Sequence, residues 1–338
     1  MFLRNVKARD LLEIFLVSAI SSLLAVRFYL YLTNYPQIGN AQFHVAHMLF
    51  GGLLMMASIV LMLSFLGEKI VRISALIGGA GFGIFIDELG KFITRDNNYF
   101  YRPTIGIIYA IFMVLYLVFS FLGRERTLTP RESILNALNL LGEPLAGYID
   151  KERKKEINKL IRSLGKDNAI AIQLRNLMET LETVPIKRSA YVRFKITLHN
   201  HYQSFWAKRK SNKLIGGIFL LAAIIFLAIV FFDLGSSIDN AADFLHSYSA
   251  AYDHSLLYGQ LISASIAFAF AVIGAYRLTD NRSRAYEWFH RSLLVNLLLT
   301  EFFIFSRLQF GALPGFALNL VLLIALRGAQ TEESYSSR

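Results

Sequence analysis

Four ionisable residues of this 338-residue chain stand at the ends of two consecutive apolar segments. His44 and His47 open one segment, and Asp87 and Glu88 close the next. If the segments are neighbouring helices, both pairs lie at the same end. Charged groups at membrane depth cost roughly 2.5–3.5 kcal/mol each on insertion scales, so they persist mostly where they pair or act. We therefore treat these four residues as the candidate catalytic groups.

Three kinds of chemistry suit this set. His44, His47 and Asp87 could hold a divalent metal such as zinc and leave a position for an activated water. Without a metal, the imidazoles and carboxylates could act as general acid and base. Lys91 and Arg95 follow closely along the chain. Together with a basic residue of the first apolar segment, Arg27, they are candidate binding groups for an anionic substrate.

A structural explanation stands beside the chemical ones. Asp87 and Lys91 are four positions apart, and Glu88 and Lys91 are three apart. These are the spacings of ordinary helical ion pairs. The sequence alone leaves the metal site, the metal-free site and the structural cluster open.

Glu301 is a further candidate substrate-binding residue. It lies in an apolar run in which the nearest basic residue along the chain is Arg307. Desolvation disfavours the ionised form of an unpaired carboxylate. We therefore expect a partner from another helix, either Arg27 or a protonated histidine.

The composition identifies the class of protein that carries these residues. Hydrophobic residues make up 55% of the chain, and the mean hydropathy is +0.45. Such values predict an integral membrane protein, and its continuously apolar runs favour helices over a barrel. Crossing the hydrocarbon core takes about 20 helical residues. We predict an all-α membrane bundle of about eight spans, at 11–33, 45–66, 71–89, 104–123, 214–233, 256–276, 286–306 and 312–327.

The distribution of Lys and Arg predicts the orientation. If the N-terminus is cytoplasmic, 30 of the 35 basic residues fall on the cytoplasmic side, where such residues collect. We therefore expect a multi-pass protein of the cell (inner) membrane with both termini cytoplasmic. It divides into a four-helix half at 1–123, a cytoplasmic insertion at 124–213, and a second four-helix half with a short tail at 214–338.

The insertion at 124–213 is called the basic domain here. It carries 19 basic and 9 acidic residues and so accounts for most of the net charge of +11. Its apolar residues keep helical spacing, which predicts a small helical domain on the inner membrane surface. Membrane lipids are the expected partners, with anionic lipid at the cytoplasmic face. We expect no nucleic acid partner.

Glycines indicate how the second and third spans pack. Gly51 and Gly52 lie in one, and four glycines lie between 78 and 83 in the other. Small residues let membrane helices approach closely. This packing would bring the histidines and the carboxylates together. The chain has no cysteine, which excludes disulfides and thiol chemistry.

Residues 40–103 resemble the VanZ-like family of bacterial membrane proteins. In that family a histidine opens one span and an Asp-Glu pair closes the next, and His47, Asp87 and Glu88 match this pattern. Lys91 stands where the family usually has glutamine, and Arg95 lies near a later family arginine. Phe43 and His44 replace the Asp-Lys that often precedes the histidine. The family is associated with the cell envelope and with low-level glycopeptide resistance, so the resemblance implies an outward-facing polar site without naming a substrate.

Three functions follow as hypotheses. The first is an outward-facing pocket that binds or hydrolyses a lipid-linked or amphiphilic envelope substrate. The second is a proton- or cation-coupled transporter or channel in which Glu301, Asp87 and the histidines form a relay. The third is a membrane scaffold or sensor that acts through the basic domain. Polar residues are scarce along the inward course of the second and third spans, which favours a one-sided pocket over a transport pathway.

Overall fold

The computed structural model describes residues 3–33, 47–96, 98–99, 101, 103–124, 127–142, 148–165, 168–184, 248–278 and 282–336, and the isolated helical positions 217, 221, 224, 225 and 228. The long elements are all α-helices. In chain order the elements are α1 (Ala8–Leu32), α2 (His47–Ser64), α3 (Glu68–Asp87), α4 (Leu89–Ile93), α5 (Pro103–Leu122), α6 (Pro130–Leu141), β1 (Tyr148–Asp150), α7 (Lys151–Arg162), α8 (Ala169–Thr180), β2 (Glu182–Val184), α9 (Tyr248–Arg277), α10 (Arg282–Val295), α11 (Glu301–Leu308) and α12 (Leu313–Ser336).

Six helical segments of the described part of the chain are long and apolar enough to cross a membrane. They are Ala8–Leu32, His47–Ser64, Glu68–Asp87, Pro103–Leu122, Ser255–Arg277 and Arg284–Leu326. A multi-pass helical membrane protein agrees with this finding. The predicted count of eight is not reproduced. The predicted span 214–233 lies almost wholly outside the described residues, and the last two predicted spans fall within the single run Arg284–Leu326.

The chain forms two compact units. Unit 1 comprises Met1–Tyr99 and Val114–Lys187, and unit 2 comprises Phe100–Met113 and Arg188–Arg338. The described part of the basic domain belongs to unit 1 together with the first three long helices. Helix α5 begins in unit 2 and ends in unit 1.

In unit 1, α3 packs against both α1 and α2, and its glycines make the close approach possible. A Cβ on Gly81 would lie 2.6 Å from the Gly51 carbonyl oxygen of α2. Cβ atoms on Gly79 and Gly83 would overlap the backbone of Phe15 and Ala19 in α1. Glycines on two faces of α3 thus allow two backbones to touch it at once, as small-residue interfaces do in membranes.

Serine hydroxyls reinforce the same two contacts. Ser18 and Ser22 of α1 donate to the carbonyl oxygens of Leu76 and Ala80 in α3, at 2.7 and 2.9 Å. Ser58 of α2 donates to the Ser74 carbonyl at 2.7 Å. Interhelical hydrogen bonds of this kind stabilise membrane helix pairs by about 0.6–2 kcal/mol.

The described part of the basic domain contains three helices and two short strands. β1 and β2 pair in parallel, with Tyr148 opposite Glu182, and α7 and α8 connect them. The domain has its own apolar core, which includes Leu141, Ile149 and Ile157. The prediction of a purely helical domain missed these strands, because three residues are too few for an alternating pattern to be recognised.

The N-terminal segment binds the basic domain. The backbone amides of Arg4 and Val6 donate to the side chains of Glu132 and Asn136 in α6, at 3.1 and 3.0 Å. Thr129 forms a capping box with Glu132 at the start of α6. The backbone amides of Thr129 and Arg4 lower the pKa of the Glu132 carboxyl, because their hydrogen bonds stabilise its ionised form.

Two ion pairs join α7 to the beginnings of α1 and α3. Lys7 Nζ lies 2.6 Å from Glu156 Oε2, and Arg153 Nη2 lies 2.6 Å from Glu68 Oε2. The basic domain therefore covers the end of unit 1 at which α1 and α3 begin. The candidate site lies at the opposite ends of these helices, where α1 and α3 end.

In unit 2, the run Arg284–Leu326 folds back on itself. A π-turn (Asn296–Thr300) joins α10 to α11, and a 3₁₀ turn (Gln309–Ala312) joins α11 to α12. Gln309 has φ 52°, a left-handed conformation that ends α11. Buried Phe289 and Leu293 of α10 share a core cluster with Leu322 and Leu326 of α12. The run is thus a helical hairpin rather than a single rod.

Two neighbouring glycines of α2 give a matched test of the α2–α3 contact. A Cβ on Gly51 would lie 2.6 Å from the Phe85 amide nitrogen, whereas a Cβ on Gly52 would meet nothing within 4 Å. We expect Gly51→Ala to destabilise the protein by about 1–3 kcal/mol through overpacking. Gly52→Ala should be neutral or stabilising by up to about 1 kcal/mol, because alanine is the better helix former. Thermal unfolding of both variants in detergent measures this difference, and equal melting temperatures would contradict the contact.

Candidate functional site

Five ionisable side chains meet at the end of unit 1 opposite the basic domain. We call them the ion cluster: Arg27 from α1, His47 from α2, Asp87 from α3, Glu88 from the α3–α4 junction and Lys91 from α4. They come together because α1 and α3 end here and α2 begins here. The structure thus brings together five of the eight candidate residues from the sequence.

His47 lies between the two carboxylates. Its Nε2 is 2.8 Å from Asp87 Oδ2, and its Nδ1 is 2.8 Å from Glu88 Oε1. The His47 backbone amide also donates to Glu88 Oε1, at 3.1 Å. An imidazole can donate from both nitrogens only when it is protonated. The geometry therefore fits an imidazolium that bridges two carboxylates.

Asp87 is held from three directions. Arg27 Nε pairs with its Oδ1, and Arg27 Nη2 donates to its carbonyl oxygen at 2.9 Å. The Tyr99 hydroxyl donates to Oδ2 at 2.8 Å. The Tyr99 ring in turn lies 4.2 Å from the Arg27 guanidinium and 5.4 Å from Lys91 Nζ, which are cation–π distances.

Glu88 lies one residue beyond α3 and pairs with two cations. Its Oε1 accepts from His47 and from Lys91 Nζ, the latter at 3.1 Å. Burial by itself raises the pKa of this carboxyl, but the hydrogen bonds and charges of His47 and Lys91 outweigh burial and lower the pKa to about 2. Its second oxygen, Oε2, is buried and has no hydrogen-bond partner in the described part of the chain.

The carboxylates and the cations differ in exposure. The side chains of Asp87 and Glu88 are completely buried, whereas those of His47, Lys91 and Arg27 are 22%, 21% and 10% exposed. The carboxylates therefore form the floor of the ion cluster and the cations form its rim. A molecule that approaches this end of unit 1 meets positive charge first.

The other three candidate residues lie elsewhere. His44 is outside the described residues. Arg95 is exposed and lies outside the ion cluster in the described part of the chain. Glu301 belongs to unit 2, where Asn319 Nδ2 donates to its Oε1 at 2.8 Å.

The expected pairing of Glu301 with Arg27 or a histidine is not seen among the described contacts within unit 2, and it stays a prediction. Arg27 and His47 are both bonded to Asp87, and Glu301 has an amide partner instead. Arg27 lies in the last two turns of α1, the helix that packs on α3, so Asp87 is within its reach.

The ion cluster is not arranged as a metal site. No group of three His, Cys, Asp or Glu side chains among the described residues could hold a metal ion. Both nitrogens of His47 face carboxylates, so neither offers a lone pair to zinc. Zinc ligands are typically neutral imidazoles or ionised groups that point at one centre. His44 lies outside the described residues, so the metal set of His44, His47 and Asp87 stays a prediction.

Comparison of the whole chain with protein-family models, with curated proteins and with solved structures finds no match. The site is therefore interpreted from its own geometry.

Two partners were not anticipated from the sequence. Tyr99 follows Asp87 by twelve residues, and no helical spacing connects the two. Its aromatic ring between two cations is apparent only in three dimensions. Asn319 is a buried amide in α12, and its acceptor, Glu301, is 18 positions away and lies across a turn.

A buried and a surface arginine test the energetics of the ion cluster. Arg27 pairs with a fully buried carboxylate, whereas Arg72 pairs with Glu68 and is 48% exposed. We expect Arg27→Gln to destabilise unit 1 by about 3–5 kcal/mol, because it leaves Asp87 without its closest cation. Arg72→Gln should cost about 0–1 kcal/mol. Chemical denaturation in detergent measures both, and similar losses would show that Arg27 is not part of a buried network.

Proposed function

We propose that this chain is a multi-pass protein of the cell membrane whose ion cluster faces outward and binds the anionic headgroup of an amphiphilic envelope substrate. The observation that carries the proposal is the arrangement of a cationic rim over two fully buried carboxylates. Membrane lipids surround the protein, and their anionic headgroups belong to this substrate class.

The separation of the two ends of unit 1 supports the outward orientation. Lys7 contacts the basic domain, and Arg27 lies in the ion cluster twenty residues later on α1. At about 1.5 Å per residue this is about 30 Å, the thickness of the hydrocarbon core. Because basic domains collect on the cytoplasmic side, the ion cluster would open on the other side.

The charge of the ion cluster favours an anion. With His47 protonated, three cations stand against two carboxylates, so the net charge is positive. The carboxylates are shielded from solvent by the cations above them. A phosphate or carboxylate headgroup would therefore meet a charge-assisted hydrogen-bond donor from Lys91, beside the positive charges of His47 and Arg27.

The surroundings of the ion cluster favour an amphiphile over a small hydrophilic anion. Phe92 and Ile93 of α4 are 61% and 44% exposed, and Phe85 at the end of α3 is 36% exposed. An acyl or prenyl chain attached to the headgroup could lie along these side chains. The resemblance to VanZ-like proteins supports an envelope role for the same residues, His47, Asp87 and Glu88.

The positions of the His47 nitrogens favour binding of the headgroup over hydrolysis of the substrate. A hydrolytic base needs an available lone pair, and both His47 nitrogens face carboxylates. A protonated His47 is instead a hydrogen-bond donor and an acid. We therefore assign His47, Lys91 and Arg27 to headgroup binding, and Asp87 and Glu88 to holding the three cations in place.

The hairpin of unit 2 supports two crossings in the run Arg284–Leu326. The run is twice as long as one crossing requires, and its two arms pack against each other. With two crossings here, and one in the predicted span 214–233, the bundle would have eight spans and both termini in the cytoplasm.

Single cysteines test the orientation in a chain that has none. Arg95 and Lys155 are both exposed and lie at opposite ends of unit 1. We expect a membrane-impermeant maleimide to label Arg95→Cys on intact cells, and to label Lys155→Cys only after the membrane is opened. The reverse pattern would place the ion cluster in the cytoplasm and exclude an envelope substrate.

Binding of dodecyl phosphate tests the headgroup assignment. We expect Lys91→Met to weaken binding by about 10–100-fold, because it removes a charge-assisted hydrogen bond of about 1.5–3 kcal/mol. Arg95→Met is the matched control, since Arg95 is a nearby exposed cation outside the ion cluster, and it should bind like wild type. Titration calorimetry of the detergent-purified protein gives the affinities. Equal affinities for dodecyl phosphate and neutral dodecyl maltoside in the wild type would refute anion binding.

A further inference from the structure

A further buried carboxylate lies in unit 2. The Glu301 side chain is completely buried, and its Oε1 accepts a hydrogen bond from Asn319 Nδ2 at 2.8 Å. Its Oε2 is buried and has no hydrogen-bond partner within the described residues. In the same part of the chain, no cation pairs with Glu301. The ion cluster differs in this respect, because each of its two carboxylates has at least one cationic partner.

The backbone next to Glu301 is a π-turn. The Glu301 amide donates to the Asn296 carbonyl, five residues back, so Asn296 and Glu301 are one turn apart. Short π-turns inside α-helices occur often at functional sites. Asn296 Oδ1 and Thr300 Oγ1 are also buried without a hydrogen-bond partner in the described residues. Within six residues, three buried side-chain oxygens thus lack a hydrogen-bond partner in the described part of the chain.

The neighbouring helices supply no evident countercharge. The Tyr109 hydroxyl of α5 donates to the Leu297 carbonyl in the π-turn. Arg307 of α11 donates to Gln260 of α9 at 2.7 Å. The other described charged side chains of the helices that pack here are Arg277 at the end of α9, and Arg284, Glu287, His290 and Arg291 on α10, all at least five residues before the π-turn. The described side chains of α12 carry no charge.

The hydrogen-bonding groups around Glu301 indicate that a donor is missing there. An ionised carboxylate only accepts, so it would add a charge and could not donate to the unused Asn296 Oδ1 acceptor. A protonated carboxyl is neutral and carries one O–H donor. That donor could serve one of the neighbouring oxygens, and neutrality removes most of the free-energy cost of burying the group. The ligand that suits this place is therefore a proton.

We propose that Glu301 is a reversible proton-binding site of unit 2. Asn319 holds one carboxyl oxygen, and the proton resides on the other, beside the π-turn. The site goes beyond headgroup binding, because it lies in the other unit and takes a different ligand. Its titration within the membrane would change the charge of the α10–α12 hairpin by one unit.

Infrared difference spectroscopy of the full chain in liposomes tests the proposal. We expect the C=O stretching band of a protonated carboxyl at acidic to neutral pH, and its loss as the pH rises. The band should be absent in Glu301→Gln, which preserves the shape and an acceptor for Asn319. It should persist in Glu287→Gln, because Glu287 is an exposed carboxyl of the same unit. A wild-type spectrum that matches Glu301→Gln at every pH would overturn the proposal.

Two further measurements sharpen the result. Asn319→Leu removes the donor that stabilises the ionised form, so the band should persist to higher pH than in wild type. A titration unchanged in Asn319→Leu would contradict the assigned site. Replacement of choline by sodium at constant pH should leave the band unchanged. A band lost in sodium would mean that a metal cation occupies the site and would overturn proton binding.

Discussion

Asp87 and Glu88 are completely buried carboxylates at the end of an apolar helix, and the arrangement of unit 1 depends on neutralising them. Each needs cations that the α3 helix does not supply within its span. Arg27 and His47 reach them from α1 and α2, and Lys91 reaches Glu88 from α4. A buried ion pair contributes little net stability, but loss of one partner is costly. The ion pairs therefore determine which helix ends lie next to each other. They add little to the free energy of unfolding.

Close helix packing makes this neutralisation geometrically possible. Gly83 of α3 touches the backbone of Ala19 in α1, and Asp87 follows one turn later. Arg27 lies two turns beyond Ala19, but long side chains on a helix point back toward its N-terminus, so the guanidinium reaches the level of Asp87. The close contacts at the glycines thus allow the ion cluster to form. A larger residue at Gly83 would displace α1 and move the arginine away from its partner.

The sequence predicted what local pattern and charge distribution determine. Long apolar runs located the helices, and the cost of charged groups at their ends pointed to His47, Asp87, Glu88 and Lys91. The pairing of Arg27 with Asp87 could not be predicted, because it joins residues 60 positions apart and depends on which helix packs on α3. The short strands β1 and β2 carry too little pattern, and the hairpin at Gln309 depends on a single left-handed residue. The role of the site remains a prediction.

The two units solve the same physical problem in different ways. In the ion cluster, each buried carboxylate is paired with cations, and the cations form a rim that is available for a ligand. Glu301 has an amide and unused oxygens around it instead, so its charge is not fixed by its surroundings. Fixed charges suit recognition of an anion, since they need no change on binding. A carboxyl without a countercharge suits the uptake and release of a proton, because its two protonation states are closer in free energy than those of a paired carboxylate.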